Sequence, residues 1–286
     1  MGRDFRPLPW QAAPWADTRG TLVLAGTAGT GKSSLAYEKI HAFCLRFPGA
    51  LAIVLRKYAE SLKNSVIPQL EQICGEEVAH APSKSRFEYP NGSVIVYGGM
   101  KDDKQRQKLR SVSNLTSGAD IALMEEANAF TREDFDELSG RMRGQAAPWC
   151  QILLCTNPDA ERHWINQSFI RPAASGKLRK VGVYQPTIED NPTLRPDYIA
   201  RLDGLTGVMR ERLRYGRWVN ADGAVYGESW DPSKHVIAPF PIPPDWRRIR
   251  ATDFGYVNPR VVLWIALDHD GRMFVYRQTY QTKQKA

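Results

Sequence analysis

The sequence predicts an α/β fold: a mostly parallel sheet with flanking helices on both faces, followed by smaller parts. Three observations carry this. Short apolar runs alternate with amphipathic stretches between Thr21 and Cys155. A glycine-rich loop, Gly26-Thr27-Ala28-Gly29-Thr30-Gly31-Lys32-Ser33-Ser34, joins the first apolar run to the first helix. The texture changes after Tyr184, where Gln185 to Pro196 is rich in Pro, Asn, Asp and Thr.

The elements follow in order. Leu22-Val23-Leu24-Ala25 reads as a strand, and Leu35 to Phe47 as a helix closed by Pro48-Gly49. Leu51 to Leu55 is a second buried strand. Ser61 to Ile73 has helical spacing, with a kink or split expected at Pro68. Arg86 to Tyr89 and Ser93 to Tyr97 flank Pro90-Asn91-Gly92, and Asn-Gly between alternating runs signals a hairpin. Lys101 to Arg110 is polar and basic. Ile121 to Met124 and Ile152 to Cys155 read as core strands, with a helix from Arg132 to Arg141 between them. Tyr198 to Leu213 reads as helical despite Gly204 and Gly207, and Asp222 to Pro244 as irregular. Ile249 to Asp253 reads as a strand and Val261 to Tyr280 as a hairpin turning at Asp270-Gly271. These shifts divide the chain into 1–184, a linker part at 185–244, and a third part at 245–286.

Composition narrows the class. With 286 residues, 42% hydrophobic and 24% charged, the chain is neither disordered nor collagen-like nor a disulfide scaffold. Lys and Arg number 39 against 31 acidic residues, a net charge of +8, which favours a polyanionic partner without establishing one. Cys44, Cys74, Cys150 and Cys155 form no Cys-x-x-Cys pair, so a zinc site is not expected and a reduced compartment is. No apolar run approaches ~20 residues, and the N-terminus lacks a signal-peptide core, so no membrane partner is expected.

Gly26-x-x-x-x-Gly31-Lys32-Ser33 has the spacing of a phosphate-binding loop, placed between a strand and a helix. Glycines let successive backbone N–H groups turn toward phosphate oxygens, and the helix N-terminus adds positive potential. Lys32 is expected on the β- and γ-phosphates of a nucleoside triphosphate and the Ser33 hydroxyl on Mg²⁺. Thr27, Ala28, Gly29, Thr30 and Ser34 complete the cradle. Glu125-Glu126 ends the strand Ile121–Met124; Glu125 is the candidate metal support and Glu126 the general base. The same pair also reads as an acidic helix start. Thr156-Asn157-Pro158 ends another strand at the same crevice, where Thr156 and Asn157 would sense the γ-phosphate or simply start a turn.

With these residues in place, the sequence resembles the large terminase subunits of tailed bacteriophages and prophages. The resemblance rests on Gly26 to Ser34, Val54-Leu55-Arg56-Lys57, Met124-Glu125-Glu126-Ala127-Asn128 and Thr156-Asn157-Pro158. Glu189-Asp190-Asn191-Pro192, Leu213-Arg214-Tyr215-Gly216-Arg217-Trp218 and Gly223-Ala224-Val225-Tyr226 narrow it further. It implies a P-loop ATPase domain using ATP and Mg²⁺, a linker subdomain containing Arg217-Trp218, and the first strands of an RNase H-like nuclease. In that nuclease Asp253, within Ala251-Thr252-Asp253-Phe254-Gly255, would be the first metal-binding aspartate. It further implies double-stranded DNA, a capsid portal and a small terminase subunit as partners, a homo-oligomeric ring, and action in the host cytoplasm.

Within the resemblance, Gln11 after Pro9-Trp10 is the candidate adenine contact, or a surface polar residue. The glycine loop contains no arginine, so the charge-stabilising arginine must come from elsewhere. Arg110, Arg141 and Arg143 are candidates, and each also reads as a solvated or DNA-facing charge. A two-metal nuclease needs several carboxylates. Asp268 and Asp270 flank the turn at Gly271 and are not expected to reach Asp253, so the nuclease part is expected to be incomplete and unable to cut DNA. Two other readings stand beside the motor: a helicase- or recombination-type ATPase, and an inactive prophage remnant.

Overall fold

The computed structural model describes residues 5–102, 105, 118–178, 180–220, 235–254 and 260–281. Arg110, Gly223 to Tyr226, Gly255 and most of the irregular 222–244 segment therefore lie outside the described residues. The chain divides into two compact units, Met1–Val225 and Tyr226–Ala286.

The first unit holds an eight-stranded sheet: β1 (Thr21–Ala25), β2 (Leu51–Arg56), β3 (Ala79–Ala81), β4 (Arg86–Glu88), β5 (Val94–Gly99), β6 (Ile121–Glu125), β7 (Gln151–Thr156) and β8 (Val181–Tyr184). Their order is β3-β4-β5-β2-β6-β7-β1-β8. The six strands from β5 to β8 in that order run parallel, and β3 and β4 attach antiparallel at one edge. Parallel strands covered on both faces read as nearly continuous apolar runs. β2, β6 and β7 are buried along their whole length.

Its helices are α1 (Ala12–Ala16), α2 (Lys32–Arg46), α3 (Val66–Cys74), α4 (Arg132–Ser139), α5 (Arg171–Ala174, continuing a π-helical stretch Asn166–Ile170), α6 (Pro196–Asp203) and α7 (Gly207–Leu213). Alternate residues of β1 enter opposite layers. Leu22 and Leu24 pack with Leu35 and Ile40 of α2 and Leu70 of α3. Val23 and Ala25 pack with Phe135 and Leu138 of α4 and with Phe169. The expected helices on both faces are present.

Differences from the sequence reading have physical causes. The Ser61–Ile73 stretch is split, but ahead of Pro68: a 3-10 turn, Ala59–Leu62, precedes α3, which starts at Val66, so the proline falls in the first turn, where its missing N–H has no partner to lose. The helix read over 198–213 is two helices, α6 ending at Asp203 with Gly204 as its C-cap and α7 starting at Gly207. The four-residue β8 and the helical stretch before α5 carry no strong sequence period and were not anticipated. The Asn91-Gly92 hairpin forms as expected, with Gly92 at φ +84°.

The second unit is a three-stranded antiparallel sheet of β9 (Arg247–Asp253), β10 (Arg260–Leu267) and β11 (Met273–Gln281), with β10 central. All four cysteines are free. Among the described residues, no helix is long and apolar enough to cross a membrane.

Candidate nucleotide-binding site

The glycine loop connects β1 to α2. Gly31 precedes α2 in the left-handed region at φ +81°, and a side chain there would meet Gln11 Nε2 at 3.0 Å. Gly26 is required for a different reason: a Cβ would lie 2.0 Å from Pro186 O. The 186–213 segment is bonded directly to the loop. Thr27 N–H donates to Pro186 O (3.0 Å), Ala28 N–H to Leu213 O (3.1 Å), and Asn191 Nδ2 to Gly29 O (2.6 Å). Two amides expected to face a phosphate are thus engaged by this segment.

A cleft of about 290 Å³ opens over the loop, lined by Ala28 to Ser34, Glu125, Glu126, Cys155, Thr156 and Asn157. It lies at the carboxyl ends of β1, β6 and β7, where parallel sheets place ligands. Lys32 is buried there and donates to Gly26 O (3.1 Å), Thr27 O (2.5 Å), Thr30 Oγ1 (3.3 Å) and Asn157 Oδ1 (3.0 Å). Burial pulls its pKa down to about 8, against the opposing pull of Cys155 and Glu125. Thr156 Oγ1 donates to Asn157 O at 2.7 Å.

Ser33 Oγ donates to Glu125 Oε1 at 2.7 Å. Burial pushes the Glu125 carboxyl up, although Ser33, Arg56 and Lys32 work against it, while the Glu126 charge adds to the rise. Its second oxygen, Oε2, is buried and has no hydrogen-bond partner among the described residues. A carboxylate beside a serine hydroxyl, with one buried oxygen unsatisfied, fits the oxygen-donor preference of Mg²⁺. Glu126 follows in the left-handed region at φ +53°, turning its side chain away from the strand direction. Its carboxylate is 63% exposed and pairs with Arg56 (2.7 Å), which ends the neighbouring strand β2.

The structure therefore brings together the glycine loop, Lys32, Ser33, Ser34, Glu125, Glu126, Thr156 and Asn157. It does not bring Gln11 into the cleft. Gln11 is buried behind the loop, its Nε2 donating to Gly31 O (2.9 Å) and its Oε1 accepting from Leu8 N–H (2.7 Å). Nor does it bring Arg141 or Arg143. Arg141 O accepts from Ala119 N–H, two residues before β6 begins, so both arginines lie at the opposite end of the sheet from the loop. Arg141 also pairs with Glu137 at 3.0 Å. Asp253 is exposed at the end of β9. Arg56, Pro186 and Asn191 were not assigned roles from sequence. Arg56 at the carboxyl end of a strand neighbouring the acidic one was the available signal.

The sequence profile described as phage terminase large subunit matches residues 19–221. The chain belongs to the phage terminase large subunit family. Solved terminases share its fold. The large terminase of a thermophilic bacteriophage is similar at TM-score 0.62 and 18% identity, covering 96% of this chain and 66% of that one. That thermophilic phage terminase has also been solved with ADP and with ATP-γ-S. The HK97 bacteriophage large terminase is similar at TM-score 0.56 and 13% identity, over 99% of this chain and 64% of that one. The Thermus phage P74-26 terminase ATPase domain is similar at 0.52 and 14%, over 75% of this chain and 95% of that domain. This terminase chain thus spans just under two thirds of the thermophilic phage and HK97 proteins. A search of curated protein sequences gives no match.

Proposed function

We propose that this chain is an ATP-hydrolysing motor subunit that translocates double-stranded viral DNA into a capsid. The observation that carries the reading is the Ser33–Glu125 contact beside buried Lys32, with one Glu125 oxygen left without a partner among the described residues. Lys32 and the loop bind the triphosphate. Ser33 and Glu125 would hold Mg²⁺, which when bound offsets charge on the phosphate oxygens. Glu126 accepts the proton of the attacking water, and Asn157, tied to Lys32, reads the terminal phosphate. Gln11 supports the reading as a brace for the loop, since both ends of its amide are engaged there. Family membership supports duplex DNA, a portal, a small terminase subunit and a ring of copies as partners, with Arg141 or Arg143 serving a neighbouring copy or DNA. We retain 1–184 as the ATPase part, 185–244 as a linker subdomain and 245–286 as the start of a nuclease fold.

The decisive experiment is ATP turnover with and without DNA. Lys32→Ala should weaken triphosphate binding. Glu126→Gln should bind ATP yet lose turnover by roughly 10²-fold or more, because an amide cannot take the proton. Wild-type turnover raised more by duplex than by single-stranded DNA supports the motor. Hydrolysis by Glu126→Gln at the wild-type rate overturns the assignment of the base.

A further inference from the structure

The turn that carries Glu126 is held from outside the cleft. Glu126 leads into a 3-10 turn, Ala127–Ala129, whose Asn128 and following Phe130 are bonded by the loop after β7. Asn128 Nδ2 donates to Asp159 Oδ2 (3.0 Å), His163 Nε2 donates to Asn128 O (3.1 Å), and Trp164 Nε1 donates to Phe130 O (2.7 Å). The tautomer is consistent, because His163 Nδ1 accepts from Ile165 N–H at 3.2 Å.

The other oxygen of Asp159 faces a different element. Asp159 Oδ1 accepts from Ala160 N–H (2.7 Å) and pairs with Arg212 of α7 at 3.0 Å, both side chains being largely shielded from solvent. Arg212 is fixed in turn by Val219 O, at 3.1 and 2.8 Å from its Nε and Nη2. The next residue along α7, Leu213, receives Ala28 N–H of the glycine loop. Burial works against the Asp159 charge, but Asn128, the Ala160 amide and Arg212 hold its carboxyl below the usual range.

We propose that Asp159 is a positioning residue whose two oxygens join the Glu126 turn to α7 and, through Leu213, to the phosphate loop. Asp159 touches no reacting group. It fixes where Glu126 stands relative to the loop, so that base and phosphate cradle keep one spacing. The inference rests on the ATPase reading above for its kinetic consequence, and on the geometry alone for its mechanical one.

The test uses the full chain with Asp159→Asn, Arg212→Gln and Arg212→Lys, each also combined with Glu126→Gln. Asp159→Asn should lower kcat tenfold or more while the KM for ATP stays within about twofold, as expected for a residue acting through the base. Arg212→Lys, which keeps a cation, should retain more activity than Arg212→Gln. In the Glu126→Gln background, Asp159→Asn should add no further loss, whereas an independent lesion would multiply. Hydrogen exchange should speed up in peptides covering 126–130 and also 26–30. A kcat within twofold of wild type, or losses that multiply, overturns the proposal. A wild type without turnover would refute the ATPase reading instead. Exchange then decides alone: unchanged protection at 26–30 in Asp159→Asn would break the proposed link.

Discussion

The Arg56 guanidinium lies 2.7 Å from the Glu126 carboxylate, with the arginine nearly buried and the glutamate largely exposed. The shielded partner therefore anchors the exposed one, from a strand that neighbours β6. Arg56 also lowers the cost of charging Glu125. Arg56→Ala should cut ATP turnover by about ten- to a hundredfold with little change in KM, the signature of a lost interaction made after binding. Steady-state kinetics over a range of ATP concentrations checks it. A KM rise at constant kcat would assign Arg56 to substrate binding.

Lys32 makes triphosphate binding dependent on pH. Burial brings its pKa to about 8, so the free protein loses this charge as pH rises through that value. A bound triphosphate favours the cation. Binding above about pH 8 must therefore take up a proton, and affinity must fall toward tenfold per pH unit. Below that value Lys32 is already charged and contributes no slope. Calorimetry in buffers of different ionisation enthalpy measures the uptake directly; flat affinity between about pH 7 and 9.5 would contradict the assignment.

Gly26→Ala should destabilise the first unit without removing any polar group. The added methyl would stand 2.0 Å from Pro186 O, so the 186–213 segment must move and strain the Thr27–Pro186 hydrogen bond. Overpacking of this kind costs about 2 kcal/mol. Denaturant unfolding measures the loss. A midpoint unchanged from wild type would mean the segment moves without cost.

Asp253 should support no DNA cleavage by the residues described. Among them, no group of three His, Cys, Asp or Glu is placed to hold a metal ion. Asp253 pairs with Val261 at one end of the three-stranded sheet, while Leu267, which precedes Asp268, pairs with Arg247 at the other. Six residue steps put the two ends roughly 20 Å apart. Plasmid incubated with Mn²⁺ should stay uncut; linearisation abolished by Asp253→Ala would show that a working site had formed.

The parts of the fold legible in sequence were those with local causes. The strand–loop–helix unit around Lys32 is written in the glycine spacing, and the β4–β5 hairpin in Asn91-Gly92. The all-apolar Ile121–Met124 run closing on Glu125 announced a central strand and its acidic end. What stayed hidden depends on long-range pairing. β8 is a four-residue strand visible only through its register with β1. Gln11 looked like a surface or adenine-facing amide because nothing local shows that Gly31 O will lie 2.9 Å from it. The bonds from Pro186, Asn191 and Leu213 to the loop join residues more than 150 positions apart, beyond the reach of any local pattern.

The position of β7 between β1 and β6 sets a width. Neighbouring strands stand about 4.8 Å apart, so inserting one strand separates the phosphate-loop strand from the acidic strand by about 9–10 Å at the sheet edge. The end of the inserted strand, Thr156-Asn157, therefore enters the cleft between the glycine loop and the acidic strand end, and only side chains as long as Glu125 reach back across that gap, as its 2.7 Å contact with Ser33 shows. The strand order thus makes reach, and not charge alone, a requirement on the acidic residue, and it is fixed by backbone pairing.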